Sequence, residues 1–190
     1  MRGLLLLSSS LALIACGSQT TYTVSGRTLT VLETNFGLAD YYCNTLAQDE
    51  VMVVMSDFAL CGEVHAGKAS REIFHSTDET NLRIVFPADG WLRVPPTTTF
   101  TVGKSDCSSG NAPGTQATAW FSHAPLGMAD YDVNVNATSG TVSVTYPTGY
   151  PKETQLSGSF DMMFGSDHVA GSFAAGFCSG TPGIAPGFGS

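Results

Sequence analysis

The chain has few charged side chains and very few basic ones. Of its 190 residues 13% are charged, and 8 Lys and Arg stand against 16 Asp and Glu. So few basic residues do not build the broad positive surface that binds a nucleic-acid backbone. The hydrophobic share of 43% is too high for a disordered chain. The composition argues against nucleic acid as a partner and indicates a folded domain of the extracellular β type.

The sequence also lacks the common motifs of cofactor and nucleophile sites. It contains no Gly-x-Gly-x-x-Gly or Walker-type loop and no Gly-x-Ser-x-Gly motif. No Cys-x-x-Cys pair is present to suggest zinc. We therefore expect no cofactor and no resident metal. The 16 acidic residues leave one catalytic class open, a hydrolase with paired carboxylates.

The longest apolar run lies at the start of the sequence and is too short to span a membrane. It extends from Gly3 to Ala15 and is interrupted by three serines, whereas a spanning helix needs about 20 apolar residues. Arg2 precedes it with a positive charge. This pattern is typical of a cleaved signal peptide over residues 1–15.

The end of the run, Leu13-Ile14-Ala15-Cys16, resembles the lipobox of bacterial lipoproteins. The resemblance implies cleavage after Ala15, a diacylglyceryl thioether on Cys16 and a fatty acyl chain such as palmitate on the new amino terminus. Several acyl chains together hold a domain stably in a bilayer. Gly17, rather than Asp, follows the cysteine, which in many such lipoproteins goes with delivery to the outer membrane. The alternative is an ordinary secretory signal in which Cys16 is incidental.

The cysteine count is consistent with lipidation of Cys16. Five cysteines are an odd number for an exported chain, and setting Cys16 aside leaves Cys43, Cys61, Cys107 and Cys178 for two disulfides. Four cysteines allow three pairings, and the sequence does not choose among them. We favour Cys43–Cys61 and Cys107–Cys178. The first pair flanks a plausible connection between neighbouring strands, and the second ties the last strand to a mid-chain loop.

After a short tether over residues 16–21, apolar and polar residues alternate with the period of two typical of β-strands. Residues 51–55 are instead continuously apolar, as in a central strand buried on both faces. Residues 156–164 and 169–177, around a turn at Gly165-Ser166-Asp167, predict a hairpin. Gly140, Gly158 and Gly171 lie in a recurring Ser/Ala-Gly-Ser/Thr motif, where glycine permits a bulge or a close backbone approach.

These patterns predict an all-β fold, a single antiparallel β-sandwich or jelly-roll-like domain over residues 22–178. A flexible Gly/Pro tail is expected over 179–190. In its composition the mature chain resembles the Gly/Ser/Thr-rich β-sandwich lipoproteins of bacterial envelopes. That resemblance implies an exported β-domain and supplies no catalytic residue.

Two groups of residues are candidate ligand sites. Asp130, Asp132 and Asn134 are spaced like the opening of a calcium loop, but Val135 and Thr141 stand where that loop needs Gly and Glu. The same spacing is typical of a solvated strand face. Trp91 could contribute to an aromatic platform for sugars or peptides, together with Trp120, Tyr41, Tyr42 and Tyr150. Buried core positions are the alternative for these aromatic side chains.

The leading functional hypothesis is a membrane-anchored envelope lipoprotein with a non-enzymatic binding, adhesion or structural domain. Its partners would be the lipid bilayer, through acylated Cys16, and a protein or carbohydrate ligand that the sequence does not identify. One alternative is a carbohydrate-active or other hydrolase on a jelly-roll scaffold, with carboxylates about 5–9.5 Å apart. Another is a calcium-dependent binding module.

Overall fold

The computed structural model describes residues 20–39, 50–59, 61, 78–87, 97–103, 116–127, 130–146 and 155–178. The expectations for residues 1–15, Cys16, Cys43, Trp91, Cys107 and the tail 179–190 lie outside these ranges. The strands are β1 (Thr21–Val24), β2 (Arg27–Thr30), β3 (Glu33–Ala39), β4 (Glu50–Ser56), β5 (Glu79–Pro87), β6 (Thr97–Val102), β7 (Gln116–Ala124), β8 (Val133–Asn136), β9 (Ser139–Thr145), β10 (Leu156–Phe164) and β11 (Asp167–Phe177).

Nine of these strands form one sheet that closes on itself. Its order is β5-β4-β3-β11-β10-β9-β6-β7-β8, and β5 also pairs with β7, which gives a barrel-like ring of eight strands with β8 attached to β7. The β3–β11 and β6–β7 pairs are parallel, and the other pairs are antiparallel. The all-β prediction is confirmed, but the expected two-sheet sandwich or jelly roll is replaced by this closed sheet. Period-two alternation is the same in both architectures, because each has one inner and one outer face.

The interior of the ring is a packed apolar core. Leu82, Ile84 and Phe86 of β5 are fully buried, as the alternation predicts. Most of the apolar positions that alternation predicts to face inward on β9, β10 and β11 are buried as well, and Tyr146 and Phe177 are partly buried against the core. The buried ones are Val142, Val144, Leu156, Phe160, Met162, Phe164, Val169 and Phe173. An eight-stranded barrel has an interior just wide enough for side chains to fill. These strands therefore surround a core.

The prediction for β4 is also confirmed. All five residues from Val51 to Met55 are buried, and β4 lies between β3 and β5. The hairpin of β10 and β11 is present with a shorter turn than predicted. Because Asp167 pairs with Phe164, the turn consists of Gly165 and Ser166 alone.

The three glycines of the recurring motif stand at close approaches, as predicted. A Cβ at Gly140 would overlap the backbone carbonyl of Asp161, and a Cβ at Gly158 would overlap the carbonyl of Ser143 and the ring of Phe173. At Gly171 the obstacle is the side chain of Tyr22. The motif therefore marks positions where a neighbouring strand or a buried side chain lies too near for a Cβ.

The hairpin of β1 and β2 closes one end of the ring. Its turn, Ser25-Gly26, has positive φ at both residues (50° and 76°), as a tight two-residue hairpin turn requires. On one face Tyr22, Val24 and Leu29 join the barrel core. At its base Leu32 donates a hydrogen bond to the carbonyl of Ser56 at the end of β4, 2.8 Å. We call this the closed end, where β4 and β10 finish and β5 and β11 begin.

The disulfide joins Cys61 to Cys178, with 5.7 Å between their Cα atoms. The expected pairs Cys43–Cys61 and Cys107–Cys178 are therefore wrong. β11 pairs in parallel with β3, so Cys178, the residue after β11, lies beside β3. Cys61 follows β4, the other neighbour of β3. There Cys61 donates its N–H to Glu33 Oε2 (3.2 Å), and Cys178 donates its own to the carbonyl of Phe36 (3.0 Å).

Candidate functional site

The predicted ligand residues Asp130, Asp132 and Asn134 lie together beside the closed end. Asn134 is in β8, and the two aspartates immediately precede that strand. All three are on the solvent side, whereas Val133 and Val135 are partly buried against the core. The structure thus brings these three residues together in one polar row. It does not describe Trp91.

Asp132 binds two basic side chains from distant parts of the sequence. The Nδ1–H of His123 on β7 donates to its Oδ1 at 2.6 Å, and Arg27 of β2 donates to its Oδ2. The hydrogen bond from His123 holds the pKa of Asp132 below its usual value. Partial burial opposes this lowering, and the guanidinium of Arg27 adds to it. Asp132 therefore connects the hairpin to the barrel wall.

A second hydrogen bond fixes the tip of the same hairpin. The backbone N–H of Ser25 donates to Oδ2 of Asp167, the first residue of β11, at 2.7 Å. The tip is thus held by two aspartates, one before β8 and one at the start of β11. We call Arg27, His123, Asp132 and the Ser25–Asp167 pair the latch of the closed end.

This arrangement does not support a calcium site at these residues. Both carboxylate oxygens of Asp132 already bind cationic or N–H donors of the chain, and Asn134 Oδ1 accepts from the hydroxyl of Ser122 at 3.4 Å. Within the ranges that the structure describes, no three His, Cys, Asp or Glu residues are grouped to hold a metal ion. Glu63, His65 and His75, which could be metal ligands by residue type, lie outside those ranges.

Arg83 is a buried cation that the sequence pattern did not reveal. Its position between Leu82 and Ile84 places it on the outer face of β5, where a solvated side chain is expected. Instead it is 1% exposed, and its guanidinium carbon lies 5.9 Å from the centroid of the Trp120 ring. Trp120 is also buried, so this ring is not part of an exposed aromatic platform.

Asn81 is buried beside Arg83 on the same outer face. It pairs in register with Ser56 of β4 and Ser122 of β7, and all three are at most 1% exposed. Among the described residues, neither atom of its side-chain amide has a hydrogen-bond partner. Leaving such a group unpaired costs roughly 1–3 kcal/mol. The outer face here is therefore a covered polar layer and not a solvated surface.

The chain matches no protein-family model, no curated protein and no solved structure. In the part of the chain that the structure describes, no helix is long and apolar enough to cross a membrane. Two features of the molecule itself indicate what it can do. The barrel is filled with side chains, and one of its ends is closed by a latched hairpin.

Substituting Asp132 by asparagine tests the latch. The lowered pKa means that the carboxylate stabilises the fold at pH values above its ordinary pKa of about 4, and this contribution disappears as the pH falls through the lowered value. We therefore expect Asp132→Asn to melt below the parent at neutral pH and to approach it under strongly acidic conditions. Thermal unfolding of both proteins across this pH range measures the difference.

The matched control for the latch is Asp130→Asn, an exposed acid two residues earlier. We expect it to leave the melting temperature close to that of the parent at every pH. If the two variants behave alike, or if the Asp132→Asn difference grows as the pH falls, the latch is not what Asp132 contributes.

Proposed function

We propose that the protein is a lipid-anchored bacterial envelope protein whose β-barrel domain works without catalysis, in binding, adhesion or envelope structure. The lipobox-like Leu13-Ile14-Ala15-Cys16 supports the anchor. Its location would be the cell envelope, and Gly17 in place of Asp after Cys16 favours the outer membrane.

The filled interior of the barrel supports the proposal that the domain works without catalysis. Phe86 stacks on Phe100 across the core, with ring centroids 5.5 Å apart, and Tyr22 meets Phe160 edge-on at 5.4 Å. Small barrels that hold a ligand keep space inside the ring. Here large side chains take that space, so a partner would be held on the outside of the domain.

The proposal includes a second disulfide between Cys43 and Cys107. Cys61 and Cys178 bind each other, and an exported chain with lipidated Cys16 leaves these two thiols for one bridge. In an oxidising compartment, where disulfides persist, the two bridges together would stabilise the domain against unfolding. This pairing replaces the one favoured from the sequence.

Intact mass of the protein extracted from bacterial membranes tests the anchor and the bridges together. We expect a chain that starts at Cys16, carries a diacylglyceryl group and an N-acyl chain, and gains two hydrogens per disulfide on reduction. An unlipidated mass would overturn the anchor. A reduction shift that corresponds to only one disulfide would overturn the second bridge.

Cys16→Ser separates anchoring from folding. We expect this variant to leave the membrane fraction or to remain as an uncleaved precursor, because no thioether can form. The melting temperature of its domain should equal that of the parent, because the Cys61–Cys178 bridge does not use Cys16. Loss of folding would show that Cys16 is a disulfide partner. Turnover of a glycan substrate by the purified domain would overturn the non-catalytic assignment.

A further inference from the structure

Two leucines are exposed at the closed end of the barrel. Leu32 and Leu126 are each 63% exposed, and they are the only large hydrophobic side chains exposed among the residues that the structure describes. A single exposed leucine is ordinary on a protein surface. The position of this pair relative to the tether is what gives it significance.

Hydrogen bonds show that both leucines belong to the same end. Leu32 donates to the carbonyl of Ser56, the last residue of β4. Leu126 donates to Oδ1 of Asp78, immediately before β5, at 2.6 Å. Leu32 immediately precedes β3 and Leu126 follows β7, and these strands lie three spacings apart across β4 and β5, so the two backbone positions are roughly 15 Å apart.

The same end is held rigid between the two leucines. The N–H of Thr80 donates to Asp57 Oδ1 at 2.8 Å, and the N–H of Asp57 returns a bond to the carbonyl of Thr80 at 3.2 Å. Leu126 itself lies in a turn that Gly127 completes with a φ of +74°. The leucines are thus presented from fixed backbone.

The tether enters the domain beside Leu32. The carbonyl of Thr20 accepts a hydrogen bond from Val31, the residue before Leu32, at 2.9 Å. Cys16 is only four positions before Thr20, and four extended residues span at most about 14 Å. An acylated Cys16 would therefore hold this end, and not the opposite one, next to the lipid.

We propose that the closed end is a membrane-docking surface, in which Leu32 and Leu126 enter the interfacial region of the bilayer. This inference rests on the lipid anchoring proposed above. The anchor supplies the affinity, and the two leucines fix the orientation of the barrel once the tether has made the contact intramolecular.

The charges around the leucines select the kind of lipid surface. Asp57, Asp78 and Asp167 all lie at this end, and each accepts a backbone N–H bond that keeps its carboxylate there. Arg27 is matched by Asp132. Among the residues that the structure describes, this end is therefore acidic, which fits a zwitterionic lipid surface better than an anionic one.

Tryptophan placed at each leucine tests the orientation in the full lipidated protein. Leu32→Trp and Leu126→Trp are reconstituted in zwitterionic vesicles whose acyl chains carry bromine at a shallow position. Interfacial side chains lie roughly 5–10 Å into the headgroup and acyl boundary, within reach of such bromine. We expect the added emission to be strongly quenched at both positions, and less so when anionic lipid replaces the zwitterionic one.

Thr97→Trp is the matched control. Thr97 is exposed at the start of β6 and pairs with Thr145, at the end of the barrel away from the hairpin. We expect its added emission to stay unquenched. Equal quenching at all three positions, or quenching of Thr97→Trp alone, would overturn the docking surface.

The same preparation distinguishes failure of docking from failure of the anchor. The intact mass reports lipidation, and flotation with vesicles reports anchoring, independently of quenching. A lipidated protein that floats with vesicles but shows unquenched leucine-site tryptophans retains the proposed function and loses the docking surface. A protein without lipid that does not float overturns both.

Discussion

Replacing Cys61 and Cys178 by alanine lowers the free energy of unfolding by about 4–5 kcal/mol, as the chain-entropy model gives for a loop of this length. The two cysteines are 117 residues apart, so the bridge restricts most of the unfolded domain, from the end of β4 to the end of β11. The loss also acts on a weak seam. β3 and β11 pair over only two registered positions, at Asn35 and Phe36, and the disulfide lies beside them.

Denaturant unfolding of the double variant and the parent, both oxidised, measures this loss. A second double variant, Cys43→Ala with Cys107→Ala, leaves the Cys61–Cys178 bridge in place and removes the proposed second bridge, so the two losses are measured separately. Adding reductant to the Cys61→Ala, Cys178→Ala protein then measures what the remaining cysteines contribute to the free energy of unfolding. A change below about 1 kcal/mol in the Cys61→Ala, Cys178→Ala protein would mean that the seam holds without its bridge.

Gly158→Ala destabilises the barrel by about 3 kcal/mol or more, the upper range for forcing extra volume into a packed site. The new methyl group would overlap the carbonyl of Ser143 on β9 and the ring of Phe173 on β11. Because β10 is paired with β9, the Ser143 carbonyl cannot withdraw without disturbing that ladder, and the Phe173 ring is buried in the core.

Gly103→Ala is the control for that substitution. Its Cβ would meet only the end of the Gln116 side chain, with Oε1 at 2.8 Å, and this flexible side chain can rotate away. We expect a change of less than about 1 kcal/mol in chemical unfolding. If the two alanine variants lose stability equally, close packing at Gly158 is not the reason that glycine stands there.

The sequence predicts which residues face the core because that information is local. Alternation places Val142 and Val144 inside, and the continuous run around Val53 identifies a strand covered on both faces. It does not predict how the strands close. The pairing of β5 with β7 and the parallel seam between β3 and β11 join distant segments, and period-two alternation is the same whichever neighbour a strand takes.

The disulfide error has the same origin. Choosing Cys43–Cys61 assumed that cysteines near in sequence bridge neighbouring strands, whereas β3 lies between β4 and the last described strand, β11. The latch was missed for a related reason. The spacing of Asp130, Asp132 and Asn134 is visible in the sequence, but Arg27 lies 105 residues from Asp132. Alternation places Arg83 on the outer face of β5, but it indicates a face and not what covers that face.

The ring closes between a strand near the beginning of the chain and the strand that ends at Phe177. β1 and β2 come first in sequence, yet the residues that receive them, Asp167 and Gly171, belong to β11. During synthesis or export, the β1–β2 hairpin therefore lacks these contacts until β11 has emerged. Contacts of such long sequence separation fold slowly, because the loop must close before the contacts form. We therefore expect the native fold of this domain to form late, once β11 at its carboxyl end is available.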